Sequence, residues 1–149
     1  FETVMSHVSH IDYMQEARAK GFEVRLYFVA TDKPEVNLLR VANRVAHGGH
    51  DVPQDRIVSR YHRCLGNLPK ALAASDTALV FDNSQAGRPH RLLAVIEARR
   101  LSHGIVYEEN NLVPSQHVRN ADPELIPAWW LEILLRIKPD YPFNDGQIS

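Results

Sequence analysis

Residues 22–31, FEVRLYFVAT, are the clearest strand of the chain and set the reading of its fold. Val24, Leu26, Phe28 and Ala30 alternate with Arg25, Tyr27 and Val29, and the C-terminal half is nearly all apolar. Such a run suits an interior strand covered on both faces. Thr31 to Glu35 (TDKPE) then reads as a strand-to-helix turn, with Pro34 in the first turn and an early acidic residue. The helix that follows spans about Pro34 to His47, with Val36, Leu39, Ala42 and Val45 or Ala46 as its inner face. Upstream, Ser9 can cap a helix over His10 to Lys20, which Gly21 ends. Before it, Met5 to His10 form a loop and Phe1 to Val4 read as a strand end. Downstream, Thr77 to Phe81 (TALVF) is a short buried strand leading into Asp82-Asn83-Ser84, and Gln85 to His90 is a loop.

This alternation of strand, helix, strand, helix pair and strand predicts an α/β protein with a mostly parallel sheet. Ligands of such sheets sit outside the carboxyl ends of the strands. Glu2-Thr3, Thr31-Asp32 and Asp82-Asn83-Ser84 fall at those ends. Arg91 to Ala98 reads as another strand, with which Gly104 to Glu108 can form a hairpin. Glu109 to Asp122 is polar and loop-like. Pro123 to Ile137 is an apolar helix capped by Asp122, and Lys138 to Ser149 form a tail.

Between the strands lies Arg40 to Arg63, RVANRVAHGGHDVPQDRIVSRYHR. Gly48 and Gly49 let one helix stop. Asp51 as N-cap, Pro53 in the first turn and Gln54 in a capping box start the next, over about Pro53 to Ser75. Gly66 and Pro69 predict a bend or break within it. Arg56, Arg60 and Arg63, at i, i+4 and i+7, share one stripe, beside an apolar stripe of Ile57, Tyr61, Cys64, Leu68 and Leu72. By spacing alone this is either a lid that closes over phosphates or the solvated charged face of a helical hairpin, and the second is the commoner arrangement.

The chain has 149 residues, enough for one domain with a real core. Its net charge of −1 argues against nucleic acid, so any basic function must come from local clustering. Cys64 is the single cysteine, which excludes an internal disulfide and a cysteine metal site. It reads as a small core residue rather than a nucleophile. No apolar run approaches the ~20 residues of a membrane span, and no signal peptide is visible, so a reducing, cytoplasmic setting is expected. The chain opens on Phe1 and not on methionine, and FETV reads as the end of a strand. The expectation is the C-terminal part of a longer protein.

Chemical motifs are few. Neither G-x-x-x-x-G-K-[ST] nor G-x-G-x-x-G occurs. His47 and His50 read as polar hinge residues rather than metal ligands, as do His7 and His10 in their loop, so no metal residue is assigned. Glu2 at a strand tip can hold a substrate hydroxyl, with Thr3 beside it, or be an incidental strand-end acid. Asp82 can be a metal-associated acid, or it can cap a turn with Asn83 and Ser84. Trp129 and Trp130 read as core or contact residues, because no basic residues interleave with them as a base-stacking platform requires.

Taken together, FETVMSH, GFEVRLYFVAT, GGHDVP, the R-x-x-R of Arg60 to Arg63, and ALVFDNS resemble the zeta-toxin-like P-loop kinases, in the branch described as predicted ATPases. The resemblance covers about Phe1 to Ser84. It implies a parallel-sheet, three-layer kinase fold with a helical lid at about residues 40–63, incomplete at its N-terminus. It implies ATP with Mg²⁺ as phosphoryl donor and a hydroxyl acceptor of the nucleotide-sugar kind, such as UDP-N-acetylglucosamine. It places Glu2 and Thr3 on the substrate side, Arg60 and Arg63 at the ATP phosphates as catalytic residues, and Asp82, Asn83 and Ser84 toward the nucleotide base. An antitoxin protein is a partner that this family can have, although toxicity does not follow from the resemblance. The family's phosphate loop and catalytic aspartate lie upstream of FET and are not in this chain, so the 149 residues alone are expected to be inactive. The alternative is a non-catalytic module of the same fold that binds a nucleotide or a protein. Neither reading involves nucleic acid or a membrane.

Overall fold

The computed structural model describes residues 1–97, 100–108, 111–114 and 127–137. Among them the elements run α1 (Ser9–Ala19), β1 (Arg25–Ala30), α2 (Pro34–Ala46), α3 (Gln54–Ala73), β2 (Thr77–Asp82), β3 (Arg91–Glu97), β4 (Arg100–Glu108), β5 (Asn111–Pro114) and α4 (Ala128–Ile137). The protein is mixed α/β, and its strands lie in chain order, β1-β2-β3-β4-β5.

β1 and β2 are parallel, from Arg25 opposite Thr77 to Ala30 opposite Asp82. Every later pair is antiparallel. The expectation of a mostly parallel sheet therefore holds for one pair alone. The reason is connection length. Parallel neighbours need a crossover of about a dozen residues or more. α2 and α3 provide one between β1 and β2, whereas Asn83–His90 is too short to do so before β3. The hairpin also differs in detail. Arg100–Gly104 is the half of β4 that pairs with β3, while Ile105–Glu108 pairs with β5, inside the stretch expected to be loop.

One face of the sheet carries the core. Leu26 and Phe28 of β1, Ala78 and Val80 of β2, and Ala94 and Ile96 of β3 are all buried there. Leu68, Ala71 and Leu72 of α3 pack into the same cluster, with Ile11 and Met14 of α1 and the apolar side of α4. Trp129 and Trp130 are buried, and the Trp129 ring lies 6.5 Å from Phe28. Both indoles thus act as core residues, as their sequence context predicted.

The opposite face does not match the expectation of a strand covered on both sides. β1 is at the sheet edge, and Tyr27 and Val29 are 63% and 49% exposed. An apolar run specifies side chains able to be covered, not that a neighbour covers them. Phe1–Val4 likewise is not a strand, because no described strand pairs with it. Its ring-bearing end rests on α1, with Phe1 edge-on to Tyr13 at 5.3 Å.

The helix boundaries follow local chemistry. Gly21 and Gly48 adopt φ of 83° and 85° just past α1 and α2. The N–H groups of Phe22 and Gly49 reach back to the carbonyls of Ala17 and Arg44, which completes the left-handed stop at each end. The expected caps are not used. α3 starts one residue later than expected, and Asp51 instead accepts from the Val52 N–H at 2.8 Å. Ser9 is already inside α1 and bonds His7 Nδ1. α3 is continuous from Gln54 to Ala73, with no break at Gly66 or Pro69. Burial of Leu68, Ala71 and Leu72 on either side of Pro69 holds that segment helical despite the missing N–H.

α2 has no buried residue. Leu39, expected on its inner face, is 71% exposed, and Ala42 is also exposed. Val36, Leu38, Val41 and Val45 are half-buried instead, so the packed face is turned from the expected one. No described helix is long and apolar enough to cross a membrane. The expected cap Asp122 and the tail from residue 138 lie outside the described residues.

Candidate functional site

A cleft of about 410 Å³ opens where the C-terminal end of β1 meets α2 and α3. Each element contributes one face. α2 supplies Asn37, Arg40, Val41 and Arg44, spaced i, i+3, i+4 and i+7 on one side of the helix. α3 supplies Ile57, Arg60, Tyr61 and Cys64 with the same spacing. β1 brings Phe28 and Val29, and the turn after it brings Thr31.

The cleft is cationic by composition. Arg40, Arg44 and Arg60 line it, and among the described residues no Asp, Glu or His does. Arg40 is held in place: its Nη2 donates to the Asn83 carbonyl at 2.6 Å. Arg44 Nη2 donates to the His50 carbonyl at 3.2 Å, across the glycine turn. Arg60 has no hydrogen-bond or ion-pair partner among the described residues. Neutral acceptors position the first two guanidiniums without cancelling their charge. Three such groups around one apolar-walled cleft create a positive potential suited to an anion of phosphate geometry.

Tyr61 sets the shape of the cleft floor. Its hydroxyl donates to the carbonyls of Thr31 and Asp32, at 3.1 and 3.0 Å, and so ties α3 to the turn before α2. Burial, reinforced by the negative charges of Asp32 and Glu35, pushes the phenol up to about 12. Burial also pushes the Cys64 thiol up, against the smaller opposing effect of Arg63 and Arg60. Cys64 forms part of the wall that the two spaces of the site share.

The sequence candidates separate. Arg60 lines the cleft, but Arg63 does not, and its Nη1 donates to Ser59 one turn back on the exposed side of α3. Asn83 lines the cleft and also extends the β1 ladder, donating its N–H to the Ala30 carbonyl at 2.8 Å. Asp82 is buried and occupied. It accepts from both the N–H and the hydroxyl of Ser84, and pairs with Arg91 at 3.0 Å. Ser84 in turn accepts the Asp32 N–H at 2.7 Å. Asp82 and Ser84 thus act as a clamp between the ends of β1 and β2, the turn-capping alternative left open by the sequence.

Glu2 and Thr3 lie in a second, adjoining groove of about 580 Å³, between the N-terminal segment and β1. Val4, Phe28, Val29 and Cys64 line both spaces, so the two are contiguous. Thr3 Oγ1 is hydrogen-bonded to His10 Nε2 at 3.0 Å. Among the described residues no group of three or more His, Cys, Asp or Glu is arranged to hold a metal ion.

Arg40 and Arg44 were not singled out from the sequence. The signal was available: Asn37, Arg40 and Arg44 share one side of α2 with Val41, facing the stripe of α3. Only the pairing of the two helices shows that the stripes converge.

No family model matches the chain, and no solved structure matches it. An uncharacterized protein of Haemophilus influenzae is 37% identical to it over 60 residues. That match spans 40% of this chain and 43% of the Haemophilus protein, less than half of each.

Proposed function

We propose that this chain is the lid-bearing part of an ATP-dependent kinase of the zeta-toxin-like kind, and that the arginine cleft receives the phosphates of the nucleotide. The observation that carries the reading is the convergence of Arg40, Arg44 and Arg60 on one cleft that no described carboxylate lines. Arg40 and Arg44 would fix the phosphate chain through their held guanidiniums. Arg60, without a protein partner among the described residues, is the group free to follow charge onto the transferring phosphoryl. Phosphoryl transfer depends chiefly on such positioning and charge neutralisation, and an arginine in this role is worth about 10³–10⁵ in rate. The contiguous groove with Glu2 and Thr3 is the acceptor side, where a carboxylate can orient a sugar hydroxyl of a nucleotide-sugar substrate.

The described residues offer no cluster for Mg²⁺, so no step is assigned to the metal here. The second reading is a nucleotide-binding module of the same fold without catalysis, which the same arginine cleft would serve.

Calorimetric titration with ATP at low salt tests the shared part of both readings. Arg60→Ala should weaken binding about tenfold, the loss of one charge-assisted contact of ~1.5 kcal/mol, with little change in stability. Absence of ATP binding, or an Arg60→Ala affinity equal to wild type, would refute it. In the complete enzyme the same change should lower kcat far more than it disturbs folding, whereas a module would show no turnover to lose.

A further inference from the structure

The hairpin of α2 and α3 is tied firmly at its base and loosely at its tip. At the base, three side chains fasten it to the ends of β1 and β2. Asn37 Nδ2 donates to Thr31 Oγ1 at 3.0 Å, Arg40 donates to the Asn83 carbonyl, and Tyr61 donates to the carbonyls of Thr31 and Asp32. The tip, residues 48–53, is built around Arg44. The Arg44 carbonyl accepts the Gly49 N–H at 2.9 Å. The Arg44 stem lies against Gly49, where a Cβ would stand 2.6 Å from Arg44 Cγ. Arg44 Nη2 donates to the His50 carbonyl at 3.2 Å, the one hydrogen bond among the described residues that joins α2 to residues 50–53. The shape of the turn therefore follows the rotamer of Arg44.

The same side chain lines the cleft, as does Val52 just past the turn. Arg44 and His50 are both exposed. One bond to a neutral acceptor holds an exposed, rotamer-rich side chain weakly against its conformational entropy. A guanidinium carries several N–H donors, and the His50 carbonyl uses only part of that set. The rest can bind an anion in the cleft without releasing the turn.

We propose that residues 48–52 form a strap that is ordered when a phosphate chain occupies the cleft, with Arg44 as the link between the two. The inference rests on the reading of the cleft as a phosphate site and adds to it a coupling between occupancy and the hairpin tip. An anion held by Arg44 fixes its rotamer. That in turn fixes the His50 carbonyl and settles Val52 as a wall of the occupied cleft. The coupling is reciprocal: a strap already ordered leaves less entropy to lose on binding, so it raises affinity for the anion. The base of the hairpin is tied in both states, so the change is confined to the tip.

Amide hydrogen exchange on the 149-residue chain, with and without inorganic triphosphate at low salt, tests this beside a calorimetric titration of the same ligand. The readout is at Gly49 and Val52, whose N–H groups are hydrogen-bonded within the turn. At saturation their exchange should slow about tenfold, while the base of the hairpin stays within about twofold. Arg44→Ala leaves Arg40 and Arg60 in the cleft, so it should still bind, more weakly, and saturating ligand should then leave both amides unchanged. Should that variant bind too weakly to saturate, Arg44→Lys takes its place, because it keeps the charge without the planar fork that serves two acceptors at once. Binding without protection in the wild type, faster exchange on binding, or equal protection in the variant would overturn the strap and leave the phosphate site standing. Absence of triphosphate binding would overturn both.

Discussion

Tyr61→Phe isolates the link that shapes the arginine cleft. The change keeps the ring and removes one hydroxyl that donates to the carbonyls of Thr31 and Asp32. A neutral hydrogen bond contributes about 1 kcal/mol net, and a half-buried pair of carbonyls regains some water, so the expected loss is ~1 kcal/mol. For a chain of this size that lowers Tm by about 2–4 °C. The pH dependence gives a second, sharper signature. The folded-state phenol is pushed up to about 12 from an unfolded value of 10. The unfolded chain therefore loses its proton first as pH rises. The contribution of Tyr61 is fully present below pH 10 and is lost as pH rises toward 12. A raw conversion of that shift is ~2–3 kcal/mol, but the ring is partly solvated, and screening brings the expectation back to about 1 kcal/mol. Urea unfolding of wild type and Tyr61→Phe, at matched pH from 7 to 12, measures the gap. It should be flat to pH 10 and then close. A gap below about 0.3 kcal/mol at pH 7, or one that persists unchanged at pH 12, would refute the assignment of Tyr61 as the tie between α3 and the turn.

Further outcomes follow from single contacts. Leu68→Ala, at a position with no solvent exposure, should cost about 2–5 kcal/mol in urea unfolding, with an unchanged m-value. Gly48→Ala forces a side chain onto a φ of 85° and should lower stability by ~1–2 kcal/mol. Gly49→Ala places a Cβ 2.6 Å from Arg44 Cγ, so it should also weaken ATP binding in calorimetry by displacing that arginine. Asp82→Ala leaves Ser84 without its acceptor and removes the Arg91 ion pair. It should cost about 1–3 kcal/mol, while ATP affinity in the folded variant stays within twofold of wild type.

Much of the architecture was legible in local sequence. The α1, β1, α2, α3 and β2 segments were placed to within a few residues, because apolar periodicity and the stops at Gly21 and Gly48 are local properties. The caps were legible only as chemistry: Ser9 and Asp51 have the right side chains but bond elsewhere. Of the bend or break expected at Gly66 and Pro69, no break occurs, because tertiary burial of Leu68, Ala71 and Leu72 outweighs local propensity.

The site divides along the same line. From the sequence alone, the arginine stripe of α3 could be read, since helical spacing fixes which residues share a face, whereas that of α2 was not. The sequence could not determine which stripes meet. Arg60 and Arg63 were equivalent by spacing, yet one lines the cleft and the other turns back to Ser59. Arg40 and Arg44 entered the cleft through the rotation of α2 and the anchor of Arg40 on Asn83, a contact across 43 residues. Asp82 had the outline of a functional acid, but the antiparallel return of β3 brought Arg91 against it. That return, and the open edge of β1, depend on which strands become neighbours, and neighbourhood is a property of the folded chain alone.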